Sequence, residues 1–324
     1  MVEPQFQTIP FNVASVRVMS TVPLVALVLQ NTGLVLLMKQ SYRPSALEYS
    51  TAAVVALAEG LKMFVCFIVC VKTEGLHSTL KALRSTPAQL NLGLPCVLYA
   101  VQNNLLFFAV QNLPTTMYVV CSQGKIISSA FFSFYILNTK LTRNKVLGLL
   151  LLICGMVLVQ LPDGLKPSFE YDSDVGKGLA AIIFACCTSG FAGVYLEKLY
   201  KGKGSLQEVS VMTKNMQLSC FSLPISLLLA IIKDFEVYKT LGFFHGIDKV
   251  VVLVLCFQAL GGIIVAIVMR HASNLLKCFA VSISICLCSI ISVTRGEEKL
   301  SARLIMGVSL VNAATLLFSS AQGK

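Results

Sequence analysis

Residues 118–137 read YVVCSQGKIISSAFFSFYIL, twenty residues that are largely apolar with Lys125 near the middle. A helix rises 1.5 Å per residue, so about 20 such residues cross a hydrocarbon core about 30 Å thick. A lysine at the centre of that span costs roughly 2.5–3.5 kcal/mol and therefore calls for a partner, a wet cavity or a task. Runs of the same kind recur on both sides, at about 18–38, 48–71, 88–110, 114–137, 145–161, 177–197, 209–232, 250–269, 275–294 and 302–320. Of the 324 residues 56% are hydrophobic and 13% charged, whereas soluble domains carry about 25% charged residues. The composition predicts an all-α integral membrane protein with ten transmembrane helices. A membrane β-barrel would instead show segments of about ten residues alternating in polarity, and the sequence shows none.

The chain also carries a weak copy of itself. KLTRNKVLG at 140–148 aligns with KLSARLIMG at 299–307, an offset of 159, and the same offset lays Lys39 of GLVLLMKQSYR on Lys198 of GVYLEKLYK. Lys125 in SQGKIISSAFFSF is matched by Lys277 in NLLKCFAVSISIC at an offset of 152. Spans one to five thus recur as spans six to ten. Five is odd, so the second copy enters the membrane from the opposite face, which predicts an inverted 5+5 repeat. The expected order is an N-terminal segment (1–17), a first five-helix repeat (18–161), a linker (162–176), a second repeat (177–320) and a tail (321–324). Secondary transporters built on this plan bind substrate near the midplane, between the halves.

Charge gives the orientation. The first 17 residues lack the charged start, short apolar core and small-residue cleavage site of a signal peptide, so the first span is expected to persist. Ten spans put both termini on one face. Fourteen of the 26 basic residues fall on that face and ten on the other, while Asp163, Glu170, Asp172 and Asp174 lie opposite. The positive-inside rule then makes both termini cytosolic and the 162–176 linker lumenal. The net charge of +11 is spread over short loops, which fits a bilayer partner rather than nucleic acid. The twelve cysteines lie mostly in apolar spans and form no C-x-x-C pair, so neither zinc nor a disulfide framework is expected. The histidines His77, His245 and His271 form no catalytic motif, and no selectivity-filter motif is visible. An enzyme and a channel are both disfavoured, and no metal or cofactor is expected.

Polar residues inside spans mark a candidate site. Under the repeat, Lys125 and Lys277 face each other across a central cavity, where two ammonium groups repel unless an anion is shared. A pyrophosphate group would neutralise the pair. Lys277 lies near the start of its span and could instead snorkel to the interface. Glu59 and Lys62 of AEGLKMF are three apart on one helix face, either a structural ion pair or a ligand contact. Tyr99, Gln102, Asn103 and Asn104 of YAVQNNLLFF either join a neighbouring helix or read a ligand's hydrogen-bonding edge. The Ser128/Ser129 and Ser282/Ser284 faces, and Gly261-Gly262, fit helix packing or a ligand's approach equally.

Several of these stretches carry a resemblance. LQNTGLVLLMKQSYR (29–43), TAAVVALAEGLK (51–62), YAVQNNLLFFAVQNLPTTMYVVCSQGKI (99–126), SGFAGVYLEKLYKG (189–202) and GGIIVAIVMRHASNLLKCFAVSISI (261–285) resemble the Golgi nucleotide-sugar transporters of the drug/metabolite transporter superfamily. The similar branch handles CMP-sialic acid, UDP-galactose and UDP-N-acetylglucosamine, and the resemblance covers nearly the whole chain. It implies ten helices in an inverted repeat and exchange of a cytosolic nucleotide sugar for a lumenal nucleoside monophosphate, without ATP, in the Golgi membrane. It implies that Lys125 and Lys277 bind phosphate, that Tyr99, Asn103, Tyr118, Asn215, Ser189 and Tyr195 line the nucleotide pocket, and that Glu59 and Lys62 lie near the sugar. Asn274, in the N-x-x-K-x-F block, Gly261 and Gly262 complete the candidate set. This chain has QGK before the span-four lysine, LLKCF after Asn274, and the aliphatic IIVAIV after Gly262 where a tyrosine-bearing version is associated with CMP-sialic acid. A UDP-sugar exchanged for UMP is therefore expected, with UDP-galactose or UDP-N-acetylglucosamine favoured. CMP-sialic acid exchange and a non-transporting scaffold relative are the alternatives. Homo- or hetero-oligomers with related transporters are compatible with the resemblance.

Overall fold

The computed structural model describes residues 13–41, 49–84, 86–161, 173–201, 209–297 and 299–320. The expected N-terminal segment up to residue 12, linker residues 162–172, the tail and loop residues such as Arg43, Lys166 and Lys203 lie outside the described residues. Twelve helices follow one another: α1 (Val13–Ser41), α2 (Thr51–Glu74), α3 (Leu76–Arg84), α4 (Thr86–Asn112), α5 (Thr115–Ser122), α6 (Gly124–Leu137), α7 (Arg143–Gln160), α8 (Ser173–Lys201), α9 (Val211–Leu241), α10 (Lys249–His271), α11 (Asn274–Thr294) and α12 (Ala302–Ser320). Among the described residues, ten helical stretches are long and apolar enough to cross a membrane, with α5 and α6 together forming the fourth. Among the described residues there is no strand. The ten-helix architecture expected from the sequence is therefore present.

Helix starts follow local chemistry. Ser50, Ser210, Asp248 and Ser273 cap α2, α9, α10 and α11, each side chain accepting a backbone N–H three residues on. Gly75 and Gly242 end α2 and α9 at φ +85°, where a side chain would be strained. Two features depart from the expected spans. A short helix, α3, follows α2, and α9 runs to Leu241 instead of stopping near 232. Asp234 bends α9 at φ −119°, ψ 27°, and its carboxylate accepts the Ser50 hydroxyl.

The fourth span is not one helix. It breaks at Gln123, where Gln123 N–H bonds the Val120 carbonyl and Ile126 N–H bonds the Gln123 carbonyl, both three residues back. The cause is a side chain from α8. Cys186 Sγ donates to the carbonyl of Cys121 at 3.4 Å and approaches that of Ser122 at 3.7 Å. Those carbonyls would otherwise accept the N–H groups of Lys125 and Ile126. A side chain inserted into the i→i−4 ladder is a recognised cause of a kink.

The two halves interleave. α7 packs on α12 and α2 on α9; α4 packs on α8 as α1 does on α10; α6 packs on α8 as α1 does on α11. Small residues set the closest approach. Gly148 and Gly307, aligned in the sequence repeat, both lie on the α7–α12 contact: a Cβ on Gly148 would sit 3.2 Å from the Ala314 carbonyl oxygen, and one on Gly307 would sit 2.9 Å from that of Gly155. Beside this crossing, Leu149, Leu152, Met156, Phe279, Val311 and Phe318 form the main buried apolar cluster. That leaves a polar space between α2, α4, α6, α8, α9, α10 and α11.

Candidate functional site

Two adjoining cavities occupy this space. The first, about 250 Å³, is walled by Lys125 of α6, Lys277 and Asn274 of α11, Tyr99 and Gln102 of α4, Ser189 of α8, and Gln123 at the break. The second, about 430 Å³, is walled by Glu59 and Lys62 of α2, Tyr99 and Asn103 of α4, Asn215 and Ser222 of α9, Gly262 of α10 and again Lys277. Tyr99 and Lys277 belong to both and mark the junction. Small-molecule pockets run to about 300–1,000 Å³, so the joined space falls in that range where the first lobe alone does not.

The charges are distributed unevenly. In the second lobe Lys62, 5% exposed, lies 2.6 Å from Glu59 Oε2, and that carboxylate also accepts the Ser222 hydroxyl. This cation is neutralised locally. Gly262 makes room for it, since a Cβ there would stand 2.7 Å from Lys62 Cδ. In the first lobe, among the described residues, neither Lys125 nor Lys277 has a carboxylate within 4.0 Å. Lys125 is exposed and Lys277 half-buried, so both ammonium groups can meet a solute in the cavity.

Gln102 and Asn274 bring amides to the first lobe and Asn215 to the second. Among the described residues their oxygens are buried without a hydrogen-bond partner, and that of Asn274 lies against Gly193 and not in the open cavity. Two cations with no carboxylate beside them among the described residues suit an anionic solute.

Ten of the thirteen expected site residues therefore line the joined cavity: Lys125, Lys277, Tyr99, Asn103, Ser189, Asn215, Glu59, Lys62, Gly262 and Asn274. Three line neither lobe. Tyr118 packs half-buried against the Ala109, Ala181 and Ile182 cluster. Tyr195 stacks on Phe191 at 5.8 Å, and Phe191 in turn meets Phe132. Gly261 faces the Gln30 amide, which donates to the Phe257 carbonyl at 2.8 Å. The serine faces are mixed. Ser129 and Ser282 reach the cavity, whereas Ser284 accepts Asn31 and Ser128 lies against Gly190. Gln123 and Ser222 were not singled out from the sequence; Gln123 carried a signal only in its place beside Lys125, and Ser222 carried none. Among the described residues no cluster of His, Cys, Asp and Glu could hold a metal.

The family model for nucleotide-sugar transporters matches residues 15–319. The chain belongs to that family. It is similar to a UDP-N-acetylglucosamine/UDP-N-acetylgalactosamine transporter of Caenorhabditis elegans, 36% identical over 92% of each chain. It is also similar to the UDP-N-acetylglucosamine transporter of Rattus norvegicus, 35% identical over 90% of this chain and 92% of that one. The UDP-galactose translocator of Homo sapiens is 35% identical over 96% of this chain and 79% of its own length. A crystal structure superposes with a TM-score of 0.69 over 93% of this chain and 96% of its own, at 13% identity, a likeness of fold alone. Members of the family are transporters and not enzymes, and the ten apolar stretches make this one a multi-pass membrane protein.

Proposed function

We propose that this transporter carries a UDP-sugar, UDP-galactose or UDP-N-acetylglucosamine, from the cytosol into the Golgi lumen in exchange for UMP. The carrying observation is the first lobe, where two lysines, one from each half of the chain, share one cavity with no counter-ion among the described residues. Phosphate between them forms charge-assisted hydrogen bonds and removes the repulsion. Lys277, at the junction, holds phosphate from the lobe that also contains Asn103, Asn215 and the Glu59–Lys62 pair. Those groups then face the remainder of the nucleotide sugar. The substrate class follows that of these relatives, all UDP-sugar carriers.

Exchange follows from the same charges. An empty cavity leaves the two ammonium groups facing each other, so the return step is favoured with an anion aboard. The paired packings of α4–α8 with α1–α10, and of α6–α8 with α1–α11, support two halves related by a pseudo-twofold axis in the membrane plane. The even number of spans and the basic-residue bias support both termini in the cytosol. Purified protein in liposomes tests the reading: labelled UDP-sugar should enter UMP-loaded vesicles and not empty ones. Equal uptake into both refutes obligatory exchange, equal uptake of CMP-sialic acid refutes the substrate class, and no uptake of any nucleotide sugar favours a scaffold.

A further inference from the structure

Glu197 is a buried carboxylate that the anion site does not use. It stands on α8, 3% exposed, within the SGFAGVYLEK stretch. Its Oε1 accepts from Lys201 Nζ at 2.7 Å and its Oε2 from the backbone N–H of Asn274 at 2.8 Å. Asn274 is the first residue of α11, so that N–H is one of those a helix start leaves without an intrahelical acceptor. The tie continues through the side chain, where Asn274 Nδ2 donates to Ser129 Oγ of α6 at 3.2 Å. Glycine at 193 permits it, because a Cβ there would stand 2.8 Å from Asn274 Cγ.

Glu197, Asn274 and Ser129 thus link α8, α11 and α6, the helices that carry Ser189, Lys277 and Lys125. Lys277 follows Asn274 by three residues and Lys125 precedes Ser129 by four, so each lysine stands one turn from the tie. Beside Glu197 on α8, Leu196 and Tyr200 pack with Leu92, Ala266 and Met269, and the fully buried Lys214 donates to the Leu199 carbonyl at 3.1 Å. At the repeat offsets of 159 and 152, Glu197 falls on Met38 and Asn274 on Ser122, a pair without a carboxylate. The tie belongs to one end only.

We infer that Glu197 is a positioning residue for transport: its carboxylate pins the start of α11 to α8, sets Lys277 opposite Lys125, and holds this end of the cavity shut until the bond breaks. The inference rests on the anion-exchange reading above. The arrangement is suited to reversal. Lys201 rides on the same helix as Glu197, so when α11 moves away the carboxylate keeps a cationic partner and is not stranded, which would be strongly unfavourable.

A native reporter sits beside the site. Cys278 follows Lys277, is half-buried and lines the first lobe. In proteoliposomes, a charged membrane-impermeant thiosulfonate is applied to the face where α8 ends, with Cys278→Ser giving the background from other cysteines. Glu197→Gln keeps the shape and loses the charge. Labelling of Cys278 from that face should then rise about tenfold, equivalent to about 1.4 kcal/mol, and Glu197→Asp should restore part of the difference. Gly193→Ala, which pushes Asn274 away without touching the carboxylate, should raise labelling in the same direction. Wild-type labelling in a folded Glu197→Gln or Gly193→Ala protein overturns the inference. Saturating UMP should protect Cys278 in the wild type. Absence of that protection refutes the anion site instead, while the labelling difference still judges the tie.

Discussion

Removing one cavity lysine should have two effects of opposite sign. Lys125 and Lys277 share the first lobe without a carboxylate partner, so in the empty protein they repel. Lys277→Ala relieves that repulsion, and the melting temperature of the unliganded protein should hold or rise. The same change should weaken UMP binding. A hydrogen bond to a charged group contributes about 1.5–3 kcal/mol, which is roughly tenfold to 150-fold in affinity. Lys277 is half-buried at the junction of both lobes and belongs towards the upper figure; Lys125 is exposed, its charge better screened, and belongs near tenfold. UMP at 100 times its Kd stabilises the folded protein by about 2.7 kcal/mol, and a tenfold weaker variant loses about 1.4 kcal/mol of that at the same concentration. The assay is thermal melting of purified wild type, Lys125→Ala and Lys277→Ala across a UMP titration. Snorkelling lysines would lower the melting temperature of the empty protein and leave the UMP response intact. That pattern would refute the assignment.

Three other outcomes follow from the packing and the charges. Gly155→Ala places a Cβ 2.9 Å from the Gly307 carbonyl oxygen, backbone that cannot rotate away, so thermal melting should show a loss of about 1–3 kcal/mol; an unchanged melting temperature would mean that α7 and α12 part freely. Lys62→Met leaves the Glu59 carboxylate unpaired and should lower the melting temperature, while Glu59→Gln/Lys62→Met recovers most of it; no recovery in the double variant would show that the lysine is not there to neutralise the glutamate. Protease should remove tags at both termini from the outside of sealed Golgi vesicles, and a protected terminus contradicts the proposed topology.

The ten helices were legible because hydrocarbon sets a length and a composition, which single residues cannot disguise. That Lys125 and Lys277 reach a cavity was legible for the same reason, since an ionisable group in a span is too unfavourable to face lipid. The faces of helices were less so. Tyr118, Tyr195 and Gly261 sit within a few residues of cavity-lining neighbours, but which side of a helix meets the cavity is decided by packing partners far along the chain. Gly261 and Gly262 show it: one turns to Gln30 of α1, the other to Lys62 of α2. The break in the fourth span was hidden likewise, because Cys186 lies far downstream of the carbonyls it occupies.

That break gives the two lysines equivalent settings. Lys277 is the fourth residue of α11, behind the Ser273 cap. Had the fourth span run unbroken from Thr115, Lys125 would lie in a helix interior. With Cys186 occupying the ladder at Cys121 and Ser122, a new helix starts at Gly124 and Lys125 is its second residue. Each lysine therefore sits in the first turn of a helix. The two starts come from opposite halves of the chain and line one lobe. A thiol on α8, by displacing a single turn, thus turns a lysine inside a span into half of a matched pair.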